Sequence, residues 1–312
     1  MGEVVVESDR IRVGARFSLT LQRTLRVPDD GNEYPLPPGL GRLPVLRVAD
    51  FDSRLPTDWN ETGAVFVPLY QREALWLQFD GAWWKPNAVQ VAVGHVNAVS
   101  GEGWDEELRA DPQNYVVCPD QPWLDGINAG PGMVRQFVAV PLGQGLTVEA
   151  QVTGQEMYGG IQVRVLEPRP GRFPDEPPPR PPQEIRTAMP LAMGAPMGIG
   201  AGGRIRQRIY PDPYGIDAWD PETATPVVVH ILNSEQFEQV TGAPAPPTPV
   251  DAATYTEYGL PWFELYDEGR GDVDAPETLS KIKGVREVVG EEADQSISVD
   301  PNQVKRLGKH KT

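Results

Sequence analysis

Side chains along residues 11–27 alternate between apolar and polar at every second position. Apolar residues fill the odd positions, with Arg23 as the exception, and polar residues or glycine fill the even positions. Successive side chains of a strand point to opposite faces, whereas an amphipathic helix needs apolar residues three and four apart. The pattern therefore predicts a half-buried β-strand that is bent or bulged at Arg23.

The same alternation recurs along the first half of the chain, at residues 65–69, 75–79, 89–93, 146–153 and 161–165, and residues 134–141 form a run of β-favouring residues. We expect 65–69 and 75–79 to form a hairpin, and 146–153 to pair with 161–165. The 34 prolines and 32 glycines favour turns and disfavour long helices. The sequence thus predicts an all-β or β-dominated fold, with an antiparallel sandwich or barrel-like core and few short helices.

A proline-rich stretch divides the chain at residues 168–182. Because proline fixes φ and removes a hydrogen-bond donor, this stretch favours an extended spacer, although a ligand for a proline-binding module has the same composition. We predict an antiparallel β domain at 1–166, a linker at 167–186, a smaller β-containing part at 187–266 packed on the first, and a mostly disordered polar tail at 267–312.

The part after the linker carries fewer regular signals. Residues 227–232 form an apolar run that indicates a buried strand. Asn233 or Ser234 then caps a predicted short helix, Asp251 caps another, and a weak helix is expected near residues 277–289. The segment 187–203 is left open as either a mobile flap or a packed loop.

Charge and hydropathy exclude several classes of partner. The net charge of −16 repels a phosphate backbone, which argues against nucleic-acid binding. No window is apolar and unbroken enough for a transmembrane helix, so we expect no membrane insertion. The chain start shows no signal-peptide pattern, and the single cysteine, Cys118, cannot form an internal disulfide. These features predict a soluble, cytoplasmic protein.

Three arginines alternate at Arg204, Arg206 and Arg208. On a strand they project from one face, where adjacent guanidinium groups can bind a carboxylate or a phosphate. Ion pairing with the chain's own surplus of acidic residues is the simpler alternative. A small anionic ligand is therefore one hypothesis for this strand.

Two loops combine acidic residues with tryptophan. Asp120 and Asp125 flank Trp123, and Asp217 lies close to Trp219. Carboxylates beside a tryptophan are a pattern found in sugar-active sites, but aspartate also favours ordinary turns that carry a packed tryptophan. Ligand binding and turn formation both remain open for these five residues.

Other motifs lack the context that their chemistry requires. Residues 198–203 match the glycine spacing of a dinucleotide site, yet a strand pattern follows where a helix is needed. Prolines break the helix that would align Met189, Met193 and Met197 on copper, and nothing in the sequence places a histidine beside Cys118. We predict no metal site and no cofactor.

Six short stretches carry a resemblance when taken together: residues 85–89, 97–101, 118–126, 135–143, 210–215 and 258–263. As a set they resemble a family of uncharacterised microbial proteins, some of which carry the label "integral membrane protein". The resemblance spans about residues 10–266. It implies no established activity and no functional residues, and the hydropathy of the chain contradicts the membrane label.

Two hypotheses for function follow. The first is a binding or assembly protein whose exposed aromatic residues and acidic surface serve a protein partner or a homo-oligomer. The alternative is an enzyme or sensor for a small anionic or sugar-like ligand, using the arginine strand and the Asp/Trp loops. The first is favoured because the sequence offers no nucleophile–base pair and no metal cluster.

Overall fold

The computed structural model describes residues 2–61, 63–179, 197–247, 252–259, 262–265, 271–290 and 301–307. Residues 180–186 of the predicted linker, residues 187–196 of the glycine- and methionine-rich segment, and the predicted cap Asp251 lie outside these ranges. Within the described ranges, two large β-sheets enclose the main apolar core.

Ten strands form the first sheet: β1 (Val4–Glu7), β2 (Arg10–Val13), β3 (Phe17–Thr24), β4 (Glu33–Tyr34), β5 (Gly39–Arg42), β8 (Ala74–Asp80), β12 (Trp123–Leu124), β13 (Gly126–Gly130), β14 (Met133–Pro141) and β16 (Met197–Arg206). The main path runs β1-β2-β3-β8-β14-β16-β4. Strand β5 lies beside β3, β12 beside β8 and β13 beside β14. Strand β16 runs parallel to β4, and the other described pairings of this sheet are antiparallel.

Seven strands form the second sheet: β6 (Leu46–Arg47), β7 (Val65–Pro68), β9 (Asn87–Val93), β10 (Val96–Asn97), β11 (Val116–Cys118), β15 (Ile161–Leu166) and β17 (Thr225–Leu232). Their order is β10-β9-β15-β17-β7-β6, with β11 beside β9. Strands β17 and β7 are parallel, and the other described pairings are antiparallel.

The remaining described elements are short. Strands β18 (Trp262–Leu265) and β19 (Val304–Leu307) pair in parallel. The α-helices are α1 (Val148–Thr153), α2 (Ser234–Thr241), α3 (Ala252–Glu257), α4 (Glu277–Ser280) and α5 (Val285–Val289). In the part of the chain that the structure describes, every helix falls short of the length and hydropathy that a bilayer crossing requires.

The apolar faces of the two sheets share one core. Leu21 and Phe137 of the first sheet are fully buried in the same cluster as Val91 and Val229 of the second. Face-to-face burial of alternating side chains is how a β-sandwich excludes water. The predicted β-dominated fold with few short helices is therefore confirmed.

The alternation at residues 11–27 belongs to two strands rather than one. Gly14 adopts a φ of 62° and turns the chain between β2 and β3, so that Val13 lies opposite Phe17. The predicted irregularity at Arg23 is present, because the pairing of β3 with β5 shifts register between Gln22 and Thr24.

Two predicted pairings are wrong. The strands at residues 65–69 and 75–79 belong to different sheets, so they do not form a hairpin. Residues 146–153 do not form a strand either, because most of them lie in α1. The Thr147 hydroxyl caps this helix by accepting the N–H of Ala150 at 3.0 Å, and Gly154 ends it in a left-handed conformation.

Two strands that follow the proline-rich stretch, β16 and β17, lie inside the two large sheets. Strand β16 sits between β14 and β4, and the predicted strand at residues 227–232 is β17, between β15 and β7. Helix α2 follows directly, with Asn233 as its cap. The weak helix expected near residues 277–289 is two short helices, α4 and α5, which bury Leu279 and Val285.

Candidate functional site

Asp125, a predicted ligand residue, lies inside the protein with 2% of its surface exposed. The Gln207 amide donates to its Oδ2 at 2.5 Å, and the Asp125 N–H donates to Gln207 Oε1 at 2.9 Å. Burial raises the pKa of Asp125 to about 7, against the opposing effect of the Gln207 hydrogen bond. Asp125 therefore fastens the segment after β16 to the junction of β12 and β13.

Asp217 and Trp219 lie in different environments, one exposed and the other buried. Trp219 is buried, and its Nε1–H donates to Asp212 Oδ2 at 2.8 Å. The Tyr115 hydroxyl donates to the same oxygen at 2.6 Å, whereas Asp217 is exposed. Trp219 is thus a packed side chain that anchors its loop.

Asp120 and Trp123 also make contacts within the chain. The Tyr214 hydroxyl donates to Asp120 Oδ2 at 3.2 Å. Trp123 is half-buried and packs edge-on against Trp76, with ring centroids 6.0 Å apart. Both residues help to hold the two predicted Asp/Trp loops against the rest of the fold.

The arginine row is shorter than the sequence predicts. Strand β16 ends at Arg206, so Arg208 lies beyond it. Arg204 and Arg206 are exposed, while Gln207 between Arg206 and Arg208 turns inward to Asp125. The arginines and the buried carboxylate therefore lie on opposite sides of this segment and do not converge on one pocket.

The described residues do not support a nucleophilic cysteine, a metal site or a dinucleotide site at the positions that the sequence suggests. Burial raises the pKa of the Cys118 thiol, and the charges of Asp80 and Asp120 add to this shift, so the thiolate is disfavoured. Across the described ranges, His, Cys, Asp and Glu form no cluster of three that could hold a metal ion. The predicted glycine motif lies within strand β16, with no helix N-terminus after it.

A surface segment at residues 142–159, which includes helix α1 and is here called the Tyr158 loop, is held by the buried carboxylate of Glu149. One oxygen accepts the N–H groups of Met157 at 2.8 Å and Tyr158 at 3.0 Å. The other oxygen accepts the N–H of Gly159 at 2.9 Å. Three consecutive amides on one carboxylate hold this backbone in a single conformation.

Glu156 fixes the other end of the Tyr158 loop. Its carboxylate accepts the Gly143 N–H at 2.5 Å, the Gly145 N–H at 3.2 Å and the Thr147 hydroxyl at 2.7 Å. Partial burial works to raise the pKa of Glu156, but the hydrogen bonds from Thr147, Gly145 and Gly143 outweigh it and lower the pKa. The carboxylate therefore stays ionised and bound at neutral pH.

The rigid loop displays apolar side chains to solvent. Leu142 is 39% exposed, Met157 is 67% exposed and Tyr158 is 53% exposed. Leu142 lies against Gly159, next to Tyr158, and the Tyr158 ring stacks on His95 with centroids 3.7 Å apart. The result is a small apolar surface built on a fixed backbone.

A groove runs beside α2 at the same end of the second sheet, where Gly160 lies alongside His230. This α2 groove has a volume of about 420 Å³ and is lined by Arg54, Leu55, Pro56, Trp59, Leu232, Gln236, Gln239 and Val240. Arg54 spans it, because its Nη1 donates to the Val240 carbonyl at 2.7 Å. Leu55, Leu232 and Val240 give it an apolar floor.

His230 lies against Trp59, which lines the α2 groove. It is 7% exposed, and its ring stacks on Trp59 with centroids 4.0 Å apart. Burial lowers the pKa of His230 to about 4, against the opposing charge of Asp58, so the imidazole is neutral at pH 7. Its Nε2 and the Gln236 Oε1 are both buried without a hydrogen-bond partner in the structure.

No family model, curated protein or solved structure matches this chain. Its function has to be inferred from its own geometry. Sequence reasoning missed both the Tyr158 loop and the α2 groove. One signal was present: His230 interrupts the apolar run at residues 227–232, and a histidine on the outer face of a sheet needs a partner such as Trp59.

Proposed function

We propose that this chain is a non-enzymatic binding protein that docks on another protein through the Tyr158 loop. The supporting observation is that Leu142, Met157 and Tyr158 are exposed on a backbone clamped by two carboxylates. Exposed aromatic and methionine side chains are the residue types that anchor protein interfaces. We further propose that the protein acts in the cytoplasm, where its single cysteine stays reduced.

Rigidity strengthens this proposal. An ordinary surface loop loses conformational entropy when a partner orders it, and that loss weakens binding. In the Tyr158 loop, the bonds to Glu149 and Glu156 already fix the backbone. Stacking on His95 restricts the Tyr158 ring as well. A partner therefore contacts apolar side chains on a backbone that is already fixed, so binding costs less conformational entropy.

Charge favours a different protein over a second copy of this one. The chain carries a net charge of −16, so two copies repel each other as they approach. Glu61, an exposed carboxylate, acts electrostatically on His95 beside the loop. We infer a partner that places an apolar pocket over Tyr158 and positive charges around it.

The alternative of an anion or sugar site at the predicted residues has less support. Asp125, Trp123 and Trp219 all make contacts within the chain, and Arg206 lies on a different side from Asp125. A ligand at those positions first has to displace internal contacts. The Tyr158 loop can bind without any such rearrangement.

The proposal can be tested by photo-cross-linking in cells of the source organism. A Tyr158→p-benzoylphenylalanine variant should give one adduct of defined mass, whose partner has a basic surface. Trp83→p-benzoylphenylalanine is the matched control, because Trp83 is also exposed, at 43%. Trp83 precedes β9, whereas His95, on which Tyr158 stacks, follows β9, so the two probes lie near opposite ends of that strand. The control should give no such adduct.

Reconstitution completes the test. The purified partner should bind the wild-type chain in calorimetry, and a Met157→Ser, Tyr158→Ser variant should bind at least tenfold more weakly with an unchanged circular dichroism spectrum. Equal cross-linking at both positions, or an adduct that is a dimer of this chain, contradicts the proposal.

A further inference from the structure

Arg54 is placed to attract a negative charge into the α2 groove. Its guanidinium is held at the groove by one hydrogen bond to the Val240 carbonyl, which leaves further N–H groups in a fixed fork. Within the described residues, no carboxylate forms an ion pair with Arg54, although acidic residues outnumber basic ones by 44 to 28. A held guanidinium of this kind matches the two oxygens of a carboxylate.

The remaining lining suits a flat apolar group. The indole of Trp59 lies at one wall, and the buried side chains of Leu55, Leu232 and Val240 form the floor. The volume of about 420 Å³ falls within the usual range for small-molecule sites, which are mostly apolar with a few placed polar groups. An aromatic ring of one or two cycles can stack or pack edge-on against Trp59.

Two buried polar atoms, one in the lining of the groove and one in a ring stacked on Trp59, make no hydrogen bond to the residues that the structure describes. Gln236 belongs to the lining, and its Oε1 is enclosed and makes no hydrogen bond in the structure. His230 stacks directly on Trp59, and its enclosed Nε2 makes no hydrogen bond either. Buried polar groups are normally satisfied, so the Gln236 oxygen in the lining is suited to accept a hydrogen bond from a molecule in the groove.

From these contacts we propose that the α2 groove binds a small aromatic carboxylate. The carboxylate pairs with Arg54, the ring packs against Trp59 over the apolar floor, and a polar substituent or a carried water satisfies Gln236. The neutral imidazole of His230 presents no second positive charge, so Arg54 is the lining residue that selects for the anion. This site is independent of the partner proposed for the Tyr158 loop.

The test uses the purified full chain, with 2-naphthoate as the probe and its neutral analogue 2-naphthamide as the comparison. Calorimetry should give saturable 1:1 binding of 2-naphthoate and at least tenfold weaker binding of 2-naphthamide. An Arg54→Gln variant should weaken 2-naphthoate binding at least tenfold and leave 2-naphthamide unchanged. Arg47→Gln is the matched control, because Arg47 is exposed, pairs with Asp50 and does not line the groove.

A second measurement, made on the wild-type chain, does not depend on whether a variant folds. In the wild-type chain, the Trp59 indole N–H resonance should shift with the same dissociation constant as calorimetry gives for 2-naphthoate. A Tyr158→Ser variant should bind 2-naphthoate like the wild type, which separates this site from the proposed protein interface. Three results would each overturn the proposal. They are 2-naphthoate binding that does not saturate, equal affinity for 2-naphthoate and 2-naphthamide, and wild-type affinity of the Arg54→Gln variant for 2-naphthoate.

Discussion

A charged pair lies inside the sheet core, at the position where the alternation of the first strands fails. Arg23 and Glu73 are 1% and 3% exposed, and the Arg23 Nε–H donates to the Glu73 carboxylate. The other Glu73 oxygen accepts the Tyr70 N–H at 2.9 Å. Burial raises the pKa of Glu73, and the charge of Arg23 opposes this shift in part. Each charge therefore depends on the other for compensation.

Removing one member of this pair should be far more damaging than removing both. We expect Arg23→Leu to lower the free energy of unfolding by about 3–5 kcal/mol, because it leaves a buried carboxylate without its counter-charge. A double variant, Arg23→Leu with Glu73→Leu, should recover most of that loss. Urea denaturation measures both, and Arg12→Leu, at an exposed pair with Glu7, is the control that should change little. A single variant as stable as the double one would disprove the coupling.

The glycines of strand β16 allow close packing against the strand and are not explained by ligand binding. A Cβ at Gly200 would lie 3.0 Å from the Val285 side chain of α5. A Cβ at Gly203 would lie 2.1 Å from the Pro28 carbonyl oxygen. The glycine run at residues 198–203 therefore lets a helix and a loop lie directly on the sheet, which is one established use of glycine within strands.

Gly203→Ala should consequently destabilise the protein by about 1–3 kcal/mol, because the backbone of Pro28 has to move away from the new methyl group. Gly103→Ala is the matched control, since a Cβ there meets nothing within 4 Å. Thermal unfolding should show a clear drop in Tm for the first variant and almost none for the second. If the two variants melt together, the close approach at Gly203 does not constrain the fold.

At the scale of elements, the sequence predicts strands better than it predicts their partners. Alternation locates β9 and β15, and a run of β-favouring residues locates β14, because both signals lie in neighbouring residues of the sequence. Pairing is not local, so the predicted hairpin of residues 65–69 and 75–79 is wrong, and the two strands lie in different sheets. At residues 146–153 the alternation misleads, because the Thr147 cap and the left-handed Gly154 favour a short helix.

The candidate sites were less predictable for a related reason. The α2 groove joins Arg54 to Val240, which are 186 residues apart in the chain, so no local motif contains both. Whether Asp125 faces solvent depends on Gln207, which is 82 residues away in the chain. The Asp212 carboxylate that holds Trp219 also accepts the hydroxyl of Tyr115, which is 97 residues from Asp212. The Tyr158 loop depends on carboxylates that local composition cannot distinguish from ordinary surface glutamates.

Across the whole molecule, two buried groups shift stability with pH in opposite directions. Unfolding moves the pKa of His230 from about 4 up to its ordinary 6.5, so the unfolded chain gains a proton first as pH falls. Stability from His230 is therefore lost between pH 6.5 and 4 on acidification. Asp125 has a pKa of about 7 when folded and 3.8 ordinarily, so its contribution is lost as pH rises from 3.8 to 7.

Because the two trends oppose each other, they have to be separated by comparing variants with the wild type. We expect the stability of Asp125→Asn relative to the wild type to increase between pH 4 and 7, by up to about 4 kcal/mol at 1.36 kcal/mol per pKa unit. The stability of His230→Gln relative to the wild type should instead increase as pH falls from 6.5 to 4, by up to about 3 kcal/mol. Urea denaturation at half-unit pH steps measures both differences. Slopes of the same sign for the two variants would mean that at least one of these groups is not held in its neutral form by burial.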